Sequence, residues 1–394
     1  MRDRTTAVLD WISDKAAFST IFLIVGILVA YLWKLGSILP NLGPAETTAT
    51  QSLTLHGIYS NPYNAPVKLL QFASQHIGIH GVLGLRIAVA VWGTVMMATF
   101  FWLAKEWFGR LIATFGTLIF ASTPWIAILA RQADGQIMLL TPCILLVCYL
   151  WLIRTKQRQN LAWLTFCTAG AVSLYIPGMF WVILAGLIIS RKRILTVSKD
   201  VKKWKLLGSL LITIALLLPL AISIFNNFSI VRSLLLIPGS FTSVADIGKN
   251  IVWASLSIFW QSPQHLYFSI GRWPMLNILQ TSLAFLGIFI IWARARRVWY
   301  GLSTLVVLSI LAAGINHNFA FLLLGAPSIM IFICAGLRYL LTEWRTIFPR
   351  NPLARGLSVA ILVLLVIAQV YFGLHYTLTA WPHTIATKEL YMLK

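Results

Sequence analysis

Apolar residues run through this chain in long unbroken blocks, not in the two- or 3.6-residue alternation of half-exposed strands and helices. A membrane-crossing helix needs about 20 apolar residues, with roughly 17–25 tolerated. On that measure spans are predicted at 17–35, 84–104, 111–130, 137–153, 161–175, 177–190, 206–225, 276–293, 298–314, 319–340 and 356–376. Pro177-Gly178 divides the apolar stretch 161–190, which is too long for one upright helix and enough for two short ones. The pattern predicts an all-α polytopic membrane protein with about eleven spans.

Composition agrees. Of 394 residues, 59% are hydrophobic and 10% charged, against roughly 25% charged in a soluble domain. The net charge of +21 in a soluble protein would suggest nucleic acid. Here the basic residues sit between apolar runs, so the bilayer is the expected partner and nucleic acid is not. Cys143, Cys148, Cys167 and Cys334 fall inside spans without metal-ligand spacing and read as small core residues. Asp3, Asp10 and Asp14 interrupt the basic N-terminus and no small-x-small site follows. Ala17–Trp33 therefore reads as an uncleaved first span rather than a signal peptide.

Lys and Arg set the orientation. With the N-terminus in the cytoplasm, the inner connections receive Arg2, Arg4, Lys15, Lys105, Arg110, Arg154, Lys156, Arg158, Arg191, Lys192, Arg193, Lys199, Lys202, Lys203, Lys205, Arg294, Arg296, Arg297, Arg338, Arg345, Arg350 and Arg355, which is 22 of the 31. All seven histidines (His56, His76, His80, His265, His317, His375, His383) then lie outside or at the outer boundary, with Glu46, Asp134, Asp246 and Glu389. No acid falls in the middle of a span. Any chemistry belongs to the extracytoplasmic face of an inner membrane.

Two outer connections, 36–83 and 226–275, are long enough to form structure, and no separate soluble domain is expected within 1–394. The first opens with Pro44-Ala45-Glu46, a helix start in which Pro suits the first turn and the acid the N-terminal dipole. After the turn-rich 57–65 comes PVKLLQFASQHIG, whose Val67, Leu70 and Ile77 predict an amphipathic helix on the bilayer surface. The second mixes Asn226-Asn227, Pro238-Gly239 and Trp273-Pro274 with the run IVWASLSIFW and reads as a re-entrant or interfacial cap.

Each candidate residue also has a plain structural role. Glu46 suits a helix start, Asp134 an Asx turn before Gly135, Arg131 and Arg86 interfacial anchoring, and His317, between Asn316 and Asn318, a snorkelling polar tip. Arg232, Lys249 and Arg272 are cations of the second loop suited to a phosphate. His76 and His80 have i, i+4 spacing without a third ligand, so no metal site or cofactor is indicated, although a divalent ion is compatible with the sequence. Asn227-Phe228-Ser229 has the N-glycosylation pattern. Together these give two carboxylates, an Arg and a His from three connections on one face.

The stretches Pro44-Ala45-Glu46, His56-Gly57-Ile58-Tyr59, Asn64-Ala65-Pro66 and Leu85-Arg86 resemble the first luminal loop of dolichyl-phosphate-mannose:protein mannosyltransferase-like enzymes. These belong to the GT-C superfamily, which also includes the lipid A aminoarabinose transferases. The resemblance continues at Trp107-Phe108-Gly109-Arg110 and Ala130-Arg131 with Asp134, and returns at His317-Asn318-Phe319 and Ala326-Pro327. One departure stands out: Ala45 replaces the first acid of the family's Asp-Glu pair.

The resemblance implies a GT-C bundle and an inverting transfer of a sugar from a polyprenyl-phosphate donor to a lipid, glycan or protein hydroxyl outside the membrane. The leaving phosphate is already a stable anion, so one general base suffices. A cation near it stabilises developing charge. On this reading Glu46 is the base with Asp134 its partner, and Arg131, His317, Arg86, Arg232, Lys249 or Arg272 holds the phosphate. The outer connections should converge on one cavity, and a lipid groove should open near the second long loop. Two other readings are an inactive relative, which Ala45 favours, and a transporter, disfavoured by the lack of repeats and mid-span acids.

Overall fold

The protein, seen here as a computed structural model, is described at residues 16–51, 53–155, 158–239, 243–263 and 267–392. The N-terminal acids and His265 lie outside that range. Every regular element among the described residues is helical. In chain order they are α1 (Ala16–Leu32), α2 (Pro44–Thr50), α3 (Leu55–Ser60), α4 (Ala65–His76), α5 (Gly81–Phe108), α6 (Arg110–Ala121), α7 (Pro124–Leu129), α8 (Pro142–Arg154), α9 (Gln159–Ser173) and α10 (Met179–Asp200). They continue as α11 (Lys203–Asn226), α12 (Ser229–Leu234), α13 (Val244–Phe259), α14 (Ile278–Arg294), α15 (Arg296–Asn316), α16 (Ala326–Ile347), α17 (Pro352–His375) and α18 (Ile385–Leu390).

Each expected span has helix over it. Among the described residues six helices are long and apolar enough to cross a membrane, and three more apolar helices are shorter. The bundle is a multi-pass membrane architecture. Its outer surface carries large apolar side chains such as Phe22 (74% exposed), Phe289 (62%) and Leu364 (65%). That surface is costly in water and suited to lipid.

Proline and glycine punctuate the chain as their backbone limits require. Pro44, Pro124, Pro142, Pro327 and Pro352 stand in the first turns of their helices, where a missing N–H costs nothing. Gly178, at φ 76°, allows the reversal between α9 and α10, of which α10 runs on past the expected 190 to Asp200. At Gly287 and Gly336 the need is space. A Cβ there would lie 1.7 Å from the Phe332 carbonyl oxygen and 2.3 Å from that of Leu283. Only glycine lets α14 and α16 approach so closely, the small-residue device of packed membrane helices.

Two expected spans are broken at their N-terminal ends. Before α8 the chain makes a 3-10 turn over Gln136–Leu140, and before α16 another over Phe319–Leu324. Both are buried and packed on each other at the centre of the core. Irregular backbone at this depth survives only when wrapped in protein. Asp134 stands two residues before the first turn and His317 two residues before the second.

In α4 the two faces separate: Val67 is buried, while Leu70 is 39% exposed and Ile77 79%. Asn64, Lys68 and Gln71 turn inward.

Candidate active site

Glu46 enters on the short helix α2. Gly43 precedes that helix, and the Gly43 N–H donates back to Glu46 Oε2 at 2.9 Å. Arg86, one turn into α5, closes a two-pronged ion pair: its Nε donates to Oε1 at 2.9 Å and its Nη2 to Oε2 at 2.8 Å. The Ala133 amide donates to Oε1 at 2.6 Å. Glu46 is 2% exposed and Arg86 1%. Four donors thus converge on one buried carboxylate. Arg86 also donates to the carbonyls of Leu39 and of Asn41, the latter at 2.7 Å, so the pair ties the approach to α2 onto α5.

The turn Arg131–Gly135 is held on both sides. Its Ala133 N–H meets Glu46, and its Ala133 carbonyl accepts from Gln71 Nε2 at 2.8 Å. Gly135 adopts φ 74°, the left-handed region that favours glycine, with Val67 close beside it. Asp134 projects from this clamped turn. Its Oδ1 accepts the Gln136 N–H at 3.1 Å, the expected Asx turn, and its Oδ2 accepts the Tyr267 hydroxyl at 3.3 Å. Burial pushes the Asp134 carboxyl up to about 7, and the Glu46 charge adds to this, against the pull of the Gln136 N–H and the Tyr267 hydroxyl. No cation pairs with it: among the described residues the ion pairs are Glu46–Arg86 and Glu106–Arg154.

The expected phosphate ligands divide. Arg86 is spent on Glu46. Arg131 donates from Nη1 to the Tyr31 carbonyl at 2.8 Å and from Nη2 to that of Trp33 at 2.9 Å. It caps the end of α1, where bare carbonyls attract a cation. Neither guanidinium is left for a phosphate. His317 caps α15 at φ 54°, and its Nε2 lies 2.6 Å from Asn250 Nδ2 on α13. Asn316 Nδ2 donates to the Leu236 carbonyl at 3.0 Å, just past α12. These bonds draw together the elements that carry exposed Lys249, exposed Arg232 and His317. Arg272 is exposed elsewhere, on the segment whose carbonyl accepts from Ser262 N–H at 3.0 Å. His76 ends α4 with its Nδ1 on the Phe72 carbonyl, and His80 begins α5, so the two do not share one helix. Among the described residues no group of three His, Cys, Asp or Glu is placed to hold a metal.

Several site residues escape a search for charged motifs. Lys68 is 7% exposed, its Nζ donates to the Asn61 carbonyl at 3.1 Å, and burial lowers its pKa. Gln132 donates to the Tyr391 hydroxyl at 3.1 Å, and the Tyr391 ring lies under Arg86 and against Gly43. Tyr63 packs with Ile230 and Leu234 of α12; burial raises its pKa, and the Asp134 charge adds to this. The available signal was polar spacing: Asn64, Lys68 and Gln71 fall at i, i+4, i+7 along α4.

No protein-family model and no curated protein matches the chain by sequence. Solved structures do match by fold. ArnT from Cupriavidus metallidurans in the apo state superposes with a TM-score of 0.56 at 12% identity, covering 96% of this chain and 78% of that one. The chain has the GT-C fold. The same transferase bound to undecaprenyl phosphate gives 0.55 at 13% identity, with the same coverage. The archaeal oligosaccharyltransferase AglB from Archaeoglobus fulgidus, in complex with an inhibitory peptide and a dolichol-phosphate, gives 0.57 at 12% identity. That match covers 94% of this chain and 56% of AglB. The GT-C resemblance carried by the short motifs of the outer loops thus extends over nearly the whole chain as fold.

Proposed function

We propose that this protein is a membrane glycosyltransferase that moves a sugar from a polyprenyl-phosphate donor to an acceptor hydroxyl at the extracytoplasmic face, with inversion. Asp134 is its general base. The observation that carries this reading is the contrast between the two carboxylates. Glu46 accepts four hydrogen bonds and is paired with Arg86, which makes it part of the frame. Asp134 is unpaired, buried and poised near pH 7, where a base is most effective.

In the reaction Asp134 takes the proton of the acceptor hydroxyl as its oxygen attacks the anomeric carbon. The bond from that carbon to the phosphate oxygen breaks, and its electron pair leaves with the phosphate. Lys68, Arg232 and Lys249 are the cations suited to that charge, with the His317 ring beside the elements that carry the last two. The lipid tail needs an apolar path, and a groove of about 210 Å³ supports one, lined by Ile258 and Phe259 of α13, Ala284 and Phe285 of α14, Val306 of α15 and Phe332 of α16. Eleven spans, a cytoplasmic N-terminus and an inner-membrane location complete the proposal, supported by the Lys/Arg distribution.

Ala45 supports a second reading, an inactive relative that binds the lipid-linked sugar. It is exposed and leaves no carboxylate where the GT-C pattern carries its first acid. Incubating the purified protein with polyprenyl-phosphate sugars and following release of polyprenyl phosphate separates the two. Release that Asp134→Asn abolishes supports the transferase. Tight donor binding without release supports the inactive relative.

A further inference from the structure

Helix α10 changes character part-way. Met179–Ser190 is almost wholly apolar, and Arg191, Lys192 and Arg193 follow without a break in the helix, which continues to Asp200. At about 1.5 Å per residue its 22 residues span about 33 Å, close to the roughly 30 Å of a hydrocarbon core. One end belongs to the side of the candidate active site, since the Gly178 N–H donates to the Leu234 carbonyl at 2.9 Å. At the other end Gln159, the first residue of α9, donates from Nε2 to the Val197 carbonyl at 3.3 Å.

Arg191–Arg193 stand four to six residues before Val197, about 6–9 Å along the axis toward Gly178. Exposed apolar side chains flank them on both sides: Ile188 (62% exposed) and Ile189 (50%) before them, Leu195 (61%) after. The three cations therefore emerge from a lipid-facing surface. All three are exposed, and among the described residues no carboxylate or carbonyl accepts from them. Lys199, Lys202 and Lys203 differ. They lie at the helix end beside exposed Trp204, whose ring Lys205 Nζ covers at 4.0 Å, and belong to an ordinary interfacial belt.

We propose that Arg191, Lys192 and Arg193 form a binding site for the phosphate of an anionic phospholipid, in the leaflet opposite the candidate active site. Unpaired cations set among exposed apolar side chains suit a lipid headgroup. Guanidinium forks suit phosphate oxygens, and zwitterionic lipid offers no net charge to match. The site stands independently of the transferase reading.

The test uses the full chain in nanodiscs of phosphatidylcholine mixed with phosphatidylglycerol. Native mass spectrometry should find phosphatidylglycerol retained, and R191Q/K192Q/R193Q should bind it about 100-fold more weakly, at about fivefold per lost cation. K199Q/K202Q/K203Q should keep most of the retention. Equal retention in the parent and the first variant overturns the site, as does equal loss in both variants, which means diffuse attraction. A photoactivatable phosphatidylglycerol on the unaltered chain supplies a measurement that needs no variant. Crosslinks within 188–195 support the site, and crosslinks found only elsewhere overturn it.

Discussion

Glu46 Oε1 lies 2.6 Å from the backbone nitrogen of Ala133, so the acid of the first outer loop binds the turn that presents Asp134. One carboxylate holds the other's platform. With Arg86 on its second edge, Glu46 has no lone pair to offer a substrate without giving up a partner. This predicts a stability phenotype for Glu46→Gln. Leaving Arg86 buried and unpaired costs on the order of 3–5 kcal/mol, read as a large fall in melting temperature. Glu46→Gln combined with Arg86→Met should recover part of that loss, because no buried charge remains. Equal melting temperatures for parent and Glu46→Gln would remove Glu46 from the frame.

The bundle was legible because twenty-residue apolar blocks have few folded alternatives in water or lipid. The site was legible only in part. Glu46 and Asp134 stood out as rare outer acids, and both lie at the site. Their roles were not readable, since sequence spacing does not reveal that Arg86, forty residues on, neutralises Glu46. Arg131 and Arg86 looked like free cations for the same reason. Lys68 and Gln71 were obscured because their partners, the Asn61 and Ala133 carbonyls, are backbone groups that no side-chain pattern announces.

Asp134 makes stability depend on pH in a direction opposite to most carboxylates. Its folded pKa, about 7, exceeds that of the unfolded chain. Between about pH 4 and 7 the unfolded state has released the proton and the folded state retains it. Stability therefore falls as pH rises through that window, by a few kcal/mol in total. Denaturation midpoints measured from pH 4 to 8 should show this slope, and Asp134→Asn should flatten it. An unchanged slope in the variant assigns the effect to another group.

Tyr267 donates its hydroxyl to Asp134 Oδ2 at 3.3 Å and stabilises the ionised form. Tyr267→Phe should raise the Asp134 pKa further and move the acidic limb of the pH–rate profile upward. The maximal rate at high pH should fall less than the rate at pH 6. A uniform loss across pH would mean that Tyr267 supports the fold or the substrate instead.

Arg131 holds the end of α1 through three carbonyls. Arg131→Gln should lower the melting temperature, since hydrogen bonds from a charged donor contribute about 1.5–3 kcal/mol. Donor affinity should stay within a factor of a few. A large loss of donor affinity at unchanged stability would return Arg131 to the phosphate site.

The assignment of Asp134 as base is tested most directly by the single-turnover rate of polyprenyl-phosphate release by Asp134→Asn at saturating donor. Asn keeps the shape of the side chain and can still accept from the Gln136 N–H, but it cannot take a proton. The predicted result is a rate lower by roughly 10²–10⁴ with donor affinity retained and a melting temperature equal to or above the parent's, since a carboxylate that is costly to bury has been removed. A variant that releases polyprenyl phosphate at the parent's rate would contradict it.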